Sequence, residues 1–461
     1  MIRRKVKREQ LEGLNKPKEL LKILNHFFPE FICSLGRIKD PRDPRYITYT
    51  IKTILLPKIL AAVFFVESMR GMTEEFNNTK LIQNVGIILN DKDLKELPYW
   101  ETINDCLKRL NPSEPEKVKD KMVNRLIRMR TFEDNRIKGK YWQILVDGTG
   151  WFSTDQPHCE HCLTRTHKNE DGGIRNIEYY HNVLEAKLVL SENVVVSIGT
   201  EFLENESANI DKQDCEISGF YRMAKAVKQK YPRLPVCITV DSLYAGKPFF
   251  DLCEKYQWKY IVRFKDGSIP SIAGEFESLK DYDNTVYKTE MQTEDGNCIQ
   301  EYRFVNDIDY GGYSIHEIEC RETTEKGEAG IFRFITNIRI TAKNHGEIVA
   351  SGRRRWKIEN QGFNTQKNHG YNMQHLFSHD FNAMKNHYYL IQIAHMISQL
   401  FESRFQLLRE GKLTIKHLHK LLLTEFQTQT IMQSDLEEAK KQVRFAFICF
   451  NYTPGEVVIA R

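Results

Sequence analysis

The chain has 461 residues, 41% of them hydrophobic, which is enough for two or three domains with apolar cores. Charged residues of both signs make up 28%, and the formal net charge of +5 points only weakly to nucleic acid. Three classes are excluded: the most apolar segment, Ile54 to Val66, is too short to span a bilayer, the basic N-terminus has no apolar stretch behind it to act as a secretion signal, and ten scattered Cys do not form a disulfide framework.

Residues 1 to about 135 read as helical. The first eight residues hold Arg3, Arg4, Lys5, Lys7 and Arg8, a solvated tail or a phosphate grip, with the tail favoured. Leu20 to Leu24 has helix periodicity, and Ile51 to Met69 forms a long apolar helix entered or broken at Pro57. Asp91 to Leu97 is a helical stretch ending at Pro98. Thr102 caps a short helix to Leu110, and Pro115 opens another that runs to about Arg130. Strands are expected at Tyr141–Asp147, His181–Leu190 and Asn193–Thr200, with a turn at Ser191–Asn193. Then come a helix from Lys212 to Tyr231, a strand at Val236–Asp241, a helix at Lys247–Tyr256 and a strand at Lys259–Phe264. Residues 266 to about 335 are β-rich, with runs at Thr285–Thr289, Ile299–Phe304, Ser314–Cys320 and Ile331–Thr336. Helices follow at Arg355–Lys367, Phe381 to about Leu408, and Ile415–Phe426. The order is that of an α/β core with acids at strand ends, where open sheets place their sites.

The chemistry-bearing residues are Asp147 and Asp241, each closing an apolar strand, and Glu359, in a helical stretch crowded with base. Trp356, Glu359, Phe363 and Lys367 are three and four apart, which lines them along one helix face, with Arg355 one turn before the Glu. Arginine forks onto phosphate and carboxylates take a hard cation, so such a face suits phosphate and metal together. Three acids among 62 carry little weight alone. Their context carries more: two ions about 3.5–4 Å apart, held by three carboxylates, hold both oxygens of an in-line phosphoryl displacement.

Val146-Asp147-Gly148-Thr149, Thr239-Val240-Asp241-Ser242-Leu243-Tyr244 and Arg355-Trp356-Lys357-Ile358-Glu359-Asn360 resemble the three catalytic blocks of bacterial insertion-sequence transposases of the DDE class. The resemblance spans roughly residues 140 to 374. It implies an RNase H-like catalytic core with a β-rich insertion before the Glu, a helical N-terminal domain and C-terminal helices. The family's Glu helix commonly carries Tyr-x2-Arg-x3-Glu-x6-Lys. Arg355 and Glu359 match that spacing, whereas Gly352 stands at the Tyr position and Gln366 at the Lys position, with Lys367 one residue on. In relatives with the full signature cleavage goes through a DNA hairpin, and with the Tyr absent the hairpin and nicked routes both stay open.

The domains expected are a helical DNA-binding domain at 1–138, the two core parts at 139–265 and 338–405, the insertion at 266–337, and a C-terminal dimerisation region at 406–461. The resemblance implies that Asp147, Asp241 and Glu359 hold two Mg²⁺, with Mn²⁺ able to substitute. Arg355, Lys367, Trp356 and Arg354 would contact DNA. The partners implied are double-stranded DNA at transposon ends and target, and a second copy in a homodimeric synaptic complex, with no membrane. The setting implied is cytoplasmic, at the bacterial nucleoid. A nuclease of the same fold that cuts without joining, and a non-catalytic DNA-binding descendant, are the alternatives. Two side signals remain. Cys159 and Cys162 form half of a zinc site, with His167 as third ligand, but no second pair stands at zinc-finger spacing, so a loop with incidental thiols is the favoured expectation. Trp151 is expected in the core.

Overall fold

The computed structural model describes residues 14–157, 159–206, 212–265, 267–282, 285–293, 296–325, 327–406, 414–441 and 456–459. The basic cluster at residues 3–8 lies outside them. The helical part holds α1 (Lys16–Phe27), α2 (Phe31–Gly36), α3 (Ile51–Val63), α4 (Met69–Phe76), α5 (Thr79–Leu89), α6 (Trp100–Arg109) and α7 (Ser113–Arg128). α3 is buried on nearly every side, so Pro57 is tolerated inside it and the apolar run shows no polar face. It stops at Val63, six residues short of the expected end. Residues 91–97 are not helical. The helix there is α5, capped by Asn78 and closed by Asn90 in the left-handed region at φ 54°. Thr102 is not a cap either: α6 starts at Trp100, directly after Pro98-Tyr99, and so takes Thr102 into its first turn.

One large sheet follows. Its strands are β1 (Trp142–Thr154), β2 (Leu163–Lys168), β3 (Ile174–Ser191), β4 (Val194–Leu203), β5 (Val236–Val240) and β6 (Lys259–Arg263), then β7 (Thr285–Thr293), β8 (Gly296–Tyr310), β9 (Tyr313–Thr324), β10 (Gly327–Thr336) and β11 (Glu456–Ile459), which pairs antiparallel with β7. β4, β3 and β1 pair antiparallel in that order, and β5 and then β6 lie parallel to β1. Three antiparallel strands followed by two parallel ones is the order expected of an RNase H-like core. The connections to β5 and β6 are helical, α8 (Glu216–Lys230) and α9 (Lys247–Tyr256), as parallel crossovers require. The β-rich insertion does not form a sheet of its own. β10 pairs antiparallel with β6, so β7–β10 extend the core sheet edgewise, and a helix missed from sequence, α10 (Pro270–Leu279), packs on β8.

After α11 (His345–Arg353) and an irregular helical segment comes the longest helix, α12 (Phe381–Gln406). It touches α3, α6 and α7 on one side and β4 on the other, joining the helical part to the sheet. Asn386 Nδ2 donates to the carbonyls of Leu107 at 2.9 Å and Leu110 at 2.6 Å, satisfying the buried carbonyl end of α6. α13 (Ile415–Thr428) and α14 (Gln433–Ala439) return to α1 through Lys16–Glu425 at 2.6 Å and Lys18–Asp435 at 2.7 Å. Among the described residues, no helix is long and apolar enough to cross a membrane.

Candidate active site

Asp147 does not end its strand. β1 continues to Thr154 because β3 keeps pairing with it, through Thr149↔Val183 and Phe152↔His181. What ends near Asp147 is the pairing with β5, whose register runs from Trp142↔Val236 to Leu145↔Thr239. Two residues further in that register, Asp147 stands beside Asp241, the residue directly after β5. β1 and β5 part where the two acids sit. Asp241 is held in place by its own turn, its Oδ1 accepting from the Leu243 amide at 2.8 Å.

Side chains alternate along a strand, so Leu145 and Asp147 share a face. Leu145 leaves the main core and packs with Val189, Ile358 and Phe363. The Glu359 segment therefore crosses β1 immediately below Asp147, and Arg355 Nη1 donates to Asp147 Oδ2 at 2.9 Å. Glu359 follows the buried Ile358 and is itself exposed.

The segment is not the single α-helix expected. α11 ends at Arg353, residues 354–355 turn, Ile358–Asn364 wind as a π-helix, and Thr365–Asn368 close with one α-turn. Wide π turns gather at functional sites because they re-aim side chains. Here Phe363 points into the protein and Glu359 out, so the residues expected along one face separate. Neighbouring cations go different ways. Arg353 pairs with Glu322 and lies over the Phe332 ring at 4.4 Å, docking the insertion. Arg354 turns inward to Ser351 Oγ at 3.2 Å. Lys357 reaches Glu192 in the β3–β4 turn at 2.6 Å. Trp356 remains 48% exposed, with the Lys357 ammonium 5.3 Å from its ring.

Both departures from the Tyr-Arg-Glu-Lys spacing have packing reasons. A Cβ at Gly352 would overlap the Phe334 ring, so a side chain there would have to displace that ring. Gln366 is fully buried and its Nε2 donates to Gln392 Oε1 at 2.9 Å, which leaves Lys367 as the cation beside Glu359. Burial lowers the pKa of that ammonium and Glu359 opposes the shift.

Burial pushes the Asp147 carboxyl up to about 6, Arg355 pulls it down, and Glu216 and Asp241 push it up. Glu216 escaped the sequence reading. As the first residue of α8 it has the signature of an ordinary acid at a helix start. Its carboxylate lies against Gly148, where an added Cβ would come within 2.6 Å of Oε2, and its Oε1 accepts from the Tyr244 hydroxyl at 2.6 Å. Only the approach of β1 to α8 reveals it. Asp147, Glu216 and Asp241 are partly exposed neighbours that repel one another, but among the described residues no three acids bring their oxygens within 4.8 Å of one another. Trp151 is 1% exposed, in the core as expected. The two thiols have a different partner from the one expected: His167 pairs with Glu178 at 3.1 Å, and Cys159 and Cys162 converge on His181.

The family model described as "Transposase DDE domain" matches residues 213–397. Those residues are similar to a DDE-type transposase domain and make up about 40% of the chain. The matched range contains Asp241 and Glu359, and Asp147 lies before it. No curated protein matches the chain. Among solved structures, a cryo-EM structure of a piggyBac transposase synaptic complex with hairpin DNA aligns with 93% of this chain and 83% of that one, at 13% identity and a TM-score of 0.44.

Proposed function

We propose that this transposase binds the terminal inverted repeats of a mobile element, cleaves at its ends and joins the freed 3′-hydroxyl to target DNA, working as a dimer that pairs two ends. The observation that carries the reading is the register that sets Asp147 beside Asp241 under a segment bearing Glu359. These three carboxylates would hold two Mg²⁺ or Mn²⁺, which supply charge neutralisation at the attacking and leaving oxygens. Arg355 holds the Asp147 carboxylate in one orientation and is placed to move onto a DNA phosphate. Trp356 and Lys367 present an exposed ring and a cation to the strand, and Arg354 braces the segment from inside. Residues 1–138 form the DNA-binding part and residues 406–461 the dimer contact.

The test is cleavage and strand transfer on labelled DNA carrying the element's own end, in Mg²⁺ and in EDTA. Wild type is expected to nick and join only with metal. Glu359→Gln and Asp147→Asn should lose more than about 10³-fold of that rate, roughly 4 kcal/mol of transition-state stabilisation, while DNA binding survives. Nicking without joining would make the protein a nuclease, and full activity in Glu359→Gln would remove that residue from the site.

A further inference from the structure

β2 pairs with the outer end of β3, and at the base of this ribbon three soft ligand atoms meet. Cys159 and Cys162 lie in the turn that enters β2, and His181 lies on β3, across from Phe152 of β1. The two Sγ atoms are 3.9 Å apart, too far for a disulfide, whose sulfurs lie about 2.05 Å apart. His181 Nε2 is 3.3 Å from the Cys159 sulfur and 3.5 Å from the Cys162 sulfur. A tetrahedral zinc ion with Zn–S of about 2.3 Å and Zn–N of about 2.0–2.1 Å needs ligand edges of about 3.8 Å between sulfurs and about 3.6 Å from sulfur to nitrogen. The three atoms therefore already form one face of such a tetrahedron. Cys162 and His181 are buried and Cys159 half-buried, and the Cys159 amide donates to the Cys162 sulfur at 3.4 Å, a bond that strengthens when that sulfur is a thiolate. The competing account is an aromatic pocket that happens to hold thiols, since His181 stacks on Phe381 at 4.3 Å. Stacking fixes the plane of the ring. It does not require two sulfurs from a separate turn to flank the same nitrogen.

We infer that Cys159, Cys162 and His181 bind a Zn²⁺, with water as its fourth ligand, that fastens the turn before β2 to the sheet and so anchors the β2–β3 ribbon. A two-stranded ribbon is marginal in water unless something ties its base. Besides its own ladder, the ribbon's base is held by Asn205, whose Nδ2 donates to the Cys162 carbonyl at 2.7 Å, and by Gln213, whose Nε2 donates to the Thr164 carbonyl at 2.9 Å, and a metal would add a covalent tie to these exchangeable bonds. The inference stands apart from the DNA chemistry, because none of its ligands belongs to the acidic site.

The test uses the full chain, purified reduced and without added metal. Elemental analysis should find one zinc per chain, and Co²⁺ in its place should show a thiolate-to-cobalt charge-transfer band. Cys159→Ser and His181→Asn should lose both signals, and Cys215→Ser, a thiol outside the cluster, should keep them. Cys159 is the safer of the two ligand positions, since it is only half-buried and circular dichroism can verify its fold. Wild-type protein with neither zinc nor a cobalt band overturns the site, as does a folded Cys159→Ser protein that keeps a full equivalent. Chelation should also open residues 155–180 to protease. Zinc removal that leaves cleavage there unchanged would overturn the anchoring role.

Discussion

Asp147 and Glu185 face each other across β1 and β3, on the same side of the sheet, in opposite circumstances. Glu185 is fully buried and fully engaged: it lies 3.2 Å from the Lys187 ammonium and accepts from Thr200 at 2.5 Å and Tyr388 at 3.1 Å. Lys187 in turn donates to Gln392 at 2.6 Å, which ties β3 to α12 and, through Gln366, to the Glu359 segment. Asp147 is about a quarter exposed, its one side-chain partner is a guanidinium, and its acidic neighbours repel it. Two acids one strand apart thus divide into a bolt and an available ligand. An acid whose partners are buried with it cannot exchange them without unfolding, whereas one held by a single mobile cation can trade it for metal or phosphate.

Breaking the bolt should have the largest effect on stability. Lys187→Met leaves Glu185 buried without its cation and should cost about 3–5 kcal/mol in chemical denaturation. Asp147→Asn should stay within about 1 kcal/mol of wild type, because it removes repulsion along with one partly exposed ion pair. Equal losses in the two variants would erase the distinction. Gly352→Ala should cost less, about 1–3 kcal/mol, since the new Cβ must push the Phe334 ring aside. Differential scanning fluorimetry would read this as a lowered Tm, and an unchanged Tm would show that α11 can lift off β10 freely.

The smallest effect is a shift along the pH axis. The Asp147 carboxyl lies at about 6, above its usual range, so the group is protonated below that pH and cannot take a cation. Metal-dependent cleavage should fall as pH drops through about 6. Arg355 opposes this shift, so Arg355→Gln should move the acidic limb to higher pH. An acidic limb that stays in place in the variant would mean that another group titrates. The same shift has a stability sign. Between 3.8 and about 6 the folded chain holds a proton that the unfolded chain releases, so the stability this carboxyl contributes is full below 3.8 and is lost as pH rises through about 6.

Much of the fold was legible because its elements follow local rules. α9 lies within the bounds periodicity set, and β5 and β6 stop one residue short of theirs, since short apolar runs between turn residues leave little choice. α5 was missed because nothing in Thr79–Leu89 stands out beside its apolar neighbours, and its caps, Asn78 and Asn90, read equally well as loop. The order Asp147, Asp241, Glu359 was visible as acids closing apolar runs and as blocks like those of a known family.

By itself, then, the sequence determined the element types, the strand order to be expected and the three acids, because these depend on neighbours a few residues apart. The tertiary structure alone decided the rest. Pairing with β3 carried β1 past Asp147, and the β1–β5 register set Asp147 beside Asp241. Burial of Gln366 left Lys367 to stand beside Glu359, the approach of α8 brought in Glu216, and the fold of β3 put His181 between two thiols. Each of these contacts joins residues distant in the chain, and contacts of that kind are fixed by how faces pack and registers align, which local pattern does not encode.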